Sequence, residues 1–148
     1  MSGISVRKMS HMLSVARRCY DIAKDVYHLS EEESRKYFLM GLIHDFGYEF
    51  SEETKDHPSI AAEVLKSMTI DDIVSIGDAI KDHGKLYKAD HCTKYDLILN
   101  QADLEVDSIG NIVTVQERLA DIGTWYGENS RQYNNALKTA EFLKEKGV

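Results

Sequence analysis

The amino-acid sequence predicts an all-α fold of about seven helices in a single domain, residues 1–148, and three observations indicate it. Apolar residues recur along most of the chain at the i, i+3, i+4, i+7 spacing of amphipathic helices. No segment has the alternating pattern of a convincing strand. The single proline, Pro58, stands at a predicted helix start, where proline is favoured.

Three helices are predicted in the first half of the chain. The first carries an apolar stripe over residues 9–27. The second starts at Ser30, because a hydroxyl at the N-cap and Glu33 three residues later form a capping-box pattern, and it ends at His44-Asp45. The dipeptide His57-Pro58 then opens the third helix.

Two further helices follow, each with a capping residue at its start. The fourth starts at Thr69 and ends at His83-Gly84, and Gly77 in its middle indicates close contact with another helix. The fifth starts at Thr93, and its predicted buried face extends to Ile109.

The last two helices are predicted at residues 114–126 and 130–146. We expect them to pack on a core that contains the functional motifs, at about residues 11–110. For Trp125 and Tyr126 we expect core packing, with a platform for stacking a nucleotide base as the alternative.

The charge balance argues against a nucleic-acid or membrane partner. Lys and Arg number 18 and Asp and Glu number 25, which gives a net charge of −7. Binding to nucleic acid or to an anionic membrane relies on basic patches that neutralise phosphates. An acidic protein that acts on phosphates needs a local positive centre, which a metal ion can supply.

The sequence also predicts a cytoplasmic protein. Residues 1–10 lack the apolar core and cleavage site of a signal peptide, and no apolar span is long enough to cross a membrane. Cys19 and Cys92 are too few for a disulfide framework and are not spaced as a zinc knuckle. We expect both to be free thiols in a reducing compartment.

The dipeptide His44-Asp45 ends an uncharged, apolar segment, residues 37–43. Burying an imidazole and a carboxylate costs on the order of several kcal/mol unless they are paired or bound to a cation. Two interpretations are open at this point: a hydrogen-bonded pair that locks two helices together, or two ligands of one ion.

Six side chains able to bind a metal lie on or beside predicted core-facing stripes of five helices: His11, His44, Asp45, His57, His83 and Asp103. One histidine on an apolar face is more often a hydrogen-bonded core residue than a ligand. Six such groups without a cation would leave several unpaired, at roughly 1 to 3 kcal/mol each. A pair of divalent ions would satisfy them together.

The order His11, His44-Asp45, Asp103 resembles the signature of the HD-domain metal-dependent phosphohydrolases, an all-α superfamily with a His, His-Asp, Asp metal site. The segments 57–65 and 79–84 are similar to the two extra histidine motifs of its two-metal branches. The layout is most similar to the small stand-alone members that act on nucleotides and dinucleoside polyphosphates.

This resemblance implies two transition-metal ions, of iron, manganese, cobalt, nickel or zinc, and a catalytic Asp45 that bridges them beside a metal-activated water. The implied ligands of the two ions are His11, His44 and Asp103 for one, and His57 and His83 for the other.

The implied reaction is hydrolysis of a phosphoester or phosphoanhydride of a small nucleotide or dinucleoside polyphosphate. Lys85 and Lys88, in the loop after His83, could hold a further phosphate, and solvated surface charge is the alternative for both. Two other functions share the ligand set: a sensor module that binds a nucleotide without cleaving it, and a di-iron oxygenase.

Overall fold

The computed structural model describes residues 6–45 and 68–148, and within these ranges it contains six α-helices and no strand. The helices are α1 Val6–Asp21, α2 Glu31–Ile43, α3 Ile70–Asp82, α4 Lys94–Leu104, α5 Val115–Tyr126 and α6 Arg131–Glu145. The all-α prediction is confirmed. The predicted helix at His57-Pro58 lies outside the described residues. None of the described helices is both long and apolar enough to cross a membrane.

Side-chain caps define where most of these helices begin. Complete capping boxes form at three threonines where the sequence predicts helix starts: Thr69, Thr93 and Thr114. At Ser30 only half of the predicted box forms. Its hydroxyl accepts a hydrogen bond from the backbone N–H of Glu33, but the Glu33 carboxylate accepts from Nζ of Lys36 at 2.8 Å.

Helices α1 and α2 touch through their backbones at Gly41. A Cβ atom added to Gly41 would lie 2.7 Å from Cα of Ala16 and 3.0 Å from Sγ of Cys19. The prediction of close contact at Gly77 is wrong, because a Cβ added there would meet no atom within 4 Å among the described residues. Glycine therefore matters for packing in α2 and not in α3.

Helix α4 lies between two apolar clusters. The first joins α1, α2, α3 and α4 through buried side chains that include Val15, Met40, Ile76, Ile98 and Leu99. The second joins α4, α5, α6 and the turn after α3 through Leu86, Leu104, Ile122, Ala136 and Leu143. Because α4 ends at Leu104, the predicted burial of Ile109 is wrong, and this side chain is 58% exposed.

The end of α5 presents aromatic side chains to solvent. Trp125 is 52% exposed and Tyr126 is 55% exposed, so the expectation of core packing is wrong for both. The guanidinium of Arg7, at the start of α1, lies 4.1 Å from the centre of the Trp125 ring. Such a stack of a cation on an indole contributes about 0.5 to 1 kcal/mol at an exposed site.

The two cysteines are free thiols, as the sequence predicts. Cys19 is fully buried between α1 and α2, and burial raises the pKa of its thiol. Cys92 is exposed in the loop before α4.

Candidate metal centre

Three histidine side chains are oriented in the same way by backbone carbonyls. Nδ1 of His11 lies 2.8 Å from the carbonyl oxygen of Asp107, and Nδ1 of His44 lies 2.5 Å from that of Gly41. Nδ1 of His83 lies 2.5 Å from the carbonyl oxygen of Ile80. Because a carbonyl oxygen only accepts, each Nδ1 carries the hydrogen. In the neutral ring Nε2 is then a free lone pair, which is the form that binds a metal.

These three Nε2 atoms face the carboxylates of Asp45 and Asp103. Nε2 of His11 lies 3.0 Å from Oδ1 of Asp103 and 3.7 Å from Oδ2 of Asp45. Nε2 of His44 lies 3.2 Å from Oδ2 of Asp45 and 3.5 Å from Oδ1 of Asp103. Nε2 of His83 lies 3.4 Å from Oδ1 of Asp45. The structure thus brings together five of the six predicted ligands, and the sixth, His57, lies outside the described residues.

Helix ends explain how neighbouring residues reach one point. Helix α2 ends at Ile43 and α3 ends at Asp82, so His44, Asp45 and His83 follow directly on the last helical residues. Adjacent residues inside a helix point about 100° apart. His44 keeps helical dihedrals at the C-cap, with φ −60° and ψ −28°, and its Nε2 still lies 3.2 Å from Oδ2 of Asp45 at this helix end.

The donor atoms are close enough to share an ion. His11, His44 and Asp45 form one group, and His44, His83 and Asp103 form another, with the ligand atoms of each group within 4.8 Å of one another. His44 belongs to both groups. Imidazole nitrogen and carboxylate oxygen together are ligands typical of divalent transition metals.

The two carboxylates of the site favour positive charge on the groups around them. Nε2 of His44 is buried and has no hydrogen-bond partner among the described residues. Burial lowers the pKa of His44, but the carboxylates of Asp103 and Asp45 outweigh it and raise that pKa to about 10. Burial likewise raises the pKa of both carboxyls, yet the neighbouring imidazoles hold it well below the ordinary range. In the metal-free site the positive charge comes from a proton on His44. A divalent cation can take its place, because the same nitrogen and oxygen atoms can bind it.

A model of the HD domain family matches residues 9–105 of the sequence, more than half of the chain. The chain belongs to the HD domain family. This superfamily comprises metal-dependent phosphohydrolases, and its members bind divalent metals. The matched segment of this HD domain includes all five converging ligands and ends before α5. Comparison with curated proteins and with solved structures gave no significant match.

An arginine that the sequence reasoning missed contacts one ligand of the HD domain. Nε of Arg118 donates to the carbonyl oxygen of Asp103 at 3.1 Å, and Nη2 lies 3.7 Å from Oδ1 of Asp103. Its side chain is only 11% exposed. No sequence signal marks this role, because the contact joins two helices and residues 15 positions apart.

The turn after His83 in the HD domain is held by two buried polar side chains. Oδ1 of Asn100 accepts a hydrogen bond from the N–H of Gly84 at 2.8 Å, and Oγ1 of Thr139 donates to the carbonyl oxygen of Gly84 at 2.9 Å. Neither partner was singled out from the sequence. They fix the backbone immediately beyond the ligand, so His83 is presented by a rigid turn and not by a loose loop.

The two lysines proposed to contact substrate lie near this turn of the HD domain. Lys85 and Lys88 are exposed, and Nζ of Lys88 lies 5.7 Å from the centre of the Tyr87 ring. Their contact with a phosphate stays a prediction.

Proposed function

We propose that this HD domain is a phosphohydrolase of the two-metal stand-alone branch. It hydrolyses a phosphoester or phosphoanhydride of a small nucleotide or dinucleoside polyphosphate by means of a metal-activated water. The observation that carries the proposal is the common orientation of three imidazoles, whose Nε2 atoms converge on two partly buried carboxylates. A metal-ligating histidine typically donates its other ring N–H to a carbonyl or carboxylate, and all three imidazoles donate from Nδ1 to a backbone carbonyl in this way.

Asp45 is the residue to which we assign the bridging role. Its Oδ2 faces His11 and His44, and its Oδ1 faces His83, so each carboxylate oxygen faces different histidines. Two divalent ions, when bound, lower the pKa of a water and neutralise phosphate oxygens. His11, His44 and Asp103 hold one ion in this proposal.

His57 and His83 hold the second ion in the proposal. We expect His57→Ala to reduce the metal content from about two ions per chain to about one. Elemental analysis of protein purified without chelators or a histidine tag measures this number. A variant that retains both ions would remove His57 from the ligand set.

The proposed partner is a small phosphorylated molecule and not a nucleic acid, because the net charge of −7 disfavours a polyanion. Lys85 and Lys88 are proposed to bind a phosphate away from the reacting one. Replacing both with alanine should then raise KM for a polyphosphate more than it lowers kcat.

The direct test is a hydrolysis screen of mononucleotides, dinucleoside polyphosphates and alarmones with added manganese, iron or cobalt. We expect phosphate release with at least one substrate and one metal, and its loss in His44→Ala. No turnover with any metal would contradict the proposal. Tight binding of a nucleotide recovered intact would then indicate a sensor module, and iron-dependent oxygen consumption would indicate an oxygenase.

Metal affinity should rise with pH. Because the pKa of His44 in the folded, metal-free site is raised from 6.5 to about 10, its proton stabilises the fold below pH 6.5, and this contribution is lost as the pH rises through 10. A metal must displace that proton, so its apparent affinity should increase by up to about tenfold per pH unit within the window.

The pH dependence can be measured by titration calorimetry with Mn²⁺ at about pH 7, 8 and 9, in two buffers that differ in ionisation heat to count the released protons. His28→Asn provides a control, because His28 is exposed and its φ of 56° is one that asparagine tolerates. This variant should keep the same slope. An affinity that does not change with pH would contradict the assignment of a proton to His44.

A further inference from the structure

We propose that Asp121 on α5 is a positioning residue of the metal centre, acting on His11 through Ser108 and on Asp103 through Arg118. The inference rests on the metal site of the proposed function. It assigns a role in the centre to a helix that lies beyond the segment matched by the HD domain family.

Asp121 gathers three hydrogen bonds on one carboxylate oxygen. Its Oδ2 accepts from the N–H of Ser108 at 2.9 Å, from Oγ of Ser108 at 2.5 Å and from Nη1 of Arg118 at 3.0 Å. Hydrogen bonds to a charged acceptor are roughly twice as strong as neutral ones. Asp121 therefore ties the turn that follows α4 to the guanidinium of Arg118.

The first branch of this network leads to His11. Ser108 directly follows Asp107, whose carbonyl oxygen accepts the hydrogen of Nδ1 of His11. The same turn is fixed to α1 a second time, because Oγ of Ser14 donates to the carbonyl oxygen of Gly110 at 2.6 Å. By holding the turn, Asp121 holds the carbonyl that selects the tautomer and ring orientation of the ligand.

The second branch leads to Asp103. Arg118 donates to the backbone carbonyl of Asp103 and places Nη2 beside its carboxylate. A guanidinium is a rigid, planar fork, so fixing Nη1 on Asp121 also fixes the direction of Nε and Nη2. Two ligands on two different helices thus depend on one carboxylate that itself touches neither.

The competing explanation is that Asp121 only stabilises α5. Glu117 on the same helix separates the two possibilities. Its carboxylate accepts from the N–H of Thr114 at 2.9 Å in a capping box, and it has no hydrogen bond to the network among the described residues. Glu117→Gln keeps an acceptor for the N–H of Thr114, removes the negative charge that favours the N-terminus of α5, and leaves Asp121, Ser108 and Arg118 in place.

The test is titration of the full chain with Co²⁺, followed by calorimetry and by the visible absorption of the bound ion. We expect Asp121→Ala to weaken Co²⁺ binding by about 10- to 100-fold, the range found when a partner of a ligand is removed, and to change the absorption spectrum. Asp121→Asn keeps an acceptor for Ser108 but loses the charge that holds Arg118, so its loss should be smaller. Glu117→Gln should lower Tm and leave the affinity and the spectrum unchanged.

Three results would overturn the proposal. The first is wild-type Co²⁺ affinity and spectrum in both Asp121 variants. The second is wild-type affinity and spectrum in Asp121→Asn when Asp121→Ala does not fold. The third is a loss of Co²⁺ affinity in Glu117→Gln equal to the loss in the Asp121 variants. Failure of the proposed function gives a different result, because wild-type protein would then bind no Co²⁺ or would bind it without hydrolysing any substrate.

Discussion

Replacing Asp45 with alanine should remove bound metal and lower hydrolysis of the substrate found in the screen by about 10²- to 10³-fold or more. The physical reason is that Asp45 offers one oxygen to His11 and His44 and the other to His83. No other carboxylate among the described residues contacts all three of these histidines. The measurements are metal content by elemental analysis and kcat/KM with the metal found.

Asp78→Ala is the matched control for this experiment. Asp78 is an exposed residue of α3, so the variant makes the same change in charge away from the site. It should keep wild-type metal content and activity. Retention of two ions per chain in Asp45→Ala would contradict the bridging role. Absence of metal from wild-type protein under every loading condition would indicate that His44 and Asp45 are only a hydrogen-bonded pair that holds two helices together.

Replacing Gly41 with alanine should strongly destabilise the packing of α1 against α2. The added Cβ would meet Cα of Ala16 at 2.7 Å and its nitrogen at 2.9 Å, and backbone atoms cannot move aside as a side chain can. Overpacking of this kind costs about 1 to 3 kcal/mol, and we expect the upper end of that range. For a chain of this size, thermal unfolding should shift down by about 10 °C.

Gly77→Ala is the control for this effect, because the same chemical change is made inside a helix with open space around it. Alanine is a better helix former than glycine by about 0.5 to 1 kcal/mol, so this variant should unfold at a slightly higher temperature than wild type. Equal unfolding temperatures for the two variants would contradict the backbone contact between α1 and α2.

Much of the fold and the candidate ligands could be predicted because both depend on local chemistry. A threonine hydroxyl caps its own helix, so Thr69, Thr93 and Thr114 mark helix starts without any distant partner. Histidines at the last turn of an apolar stripe are similarly visible, since burial of such a group requires a partner. His83 and the dipeptide His44-Asp45 were found in this way.

The rest depends on partners that residue identity does not encode. The acceptor for His11 is a backbone carbonyl 96 positions away, and every residue carries such a carbonyl. Trp125 follows the helical spacing of an apolar stripe, yet Ile122 is the one residue of α5 that is buried, and Trp125 is 52% exposed. Periodicity predicts the direction in which a side chain points. It does not predict whether a neighbouring helix is long enough to cover that side chain.

The carbonyl contacts of the three histidines also differ in range, and this difference suggests an order in which the centre assembles during folding. His44 and His83 contact carbonyls three residues earlier in their own helices, so the formation of α2 and α3 is enough to orient them. His11 gains its orientation only when α1 meets the turn after α4. Metal present early in refolding should therefore meet two oriented imidazoles first, and the third should be added when the two distant parts of the chain dock.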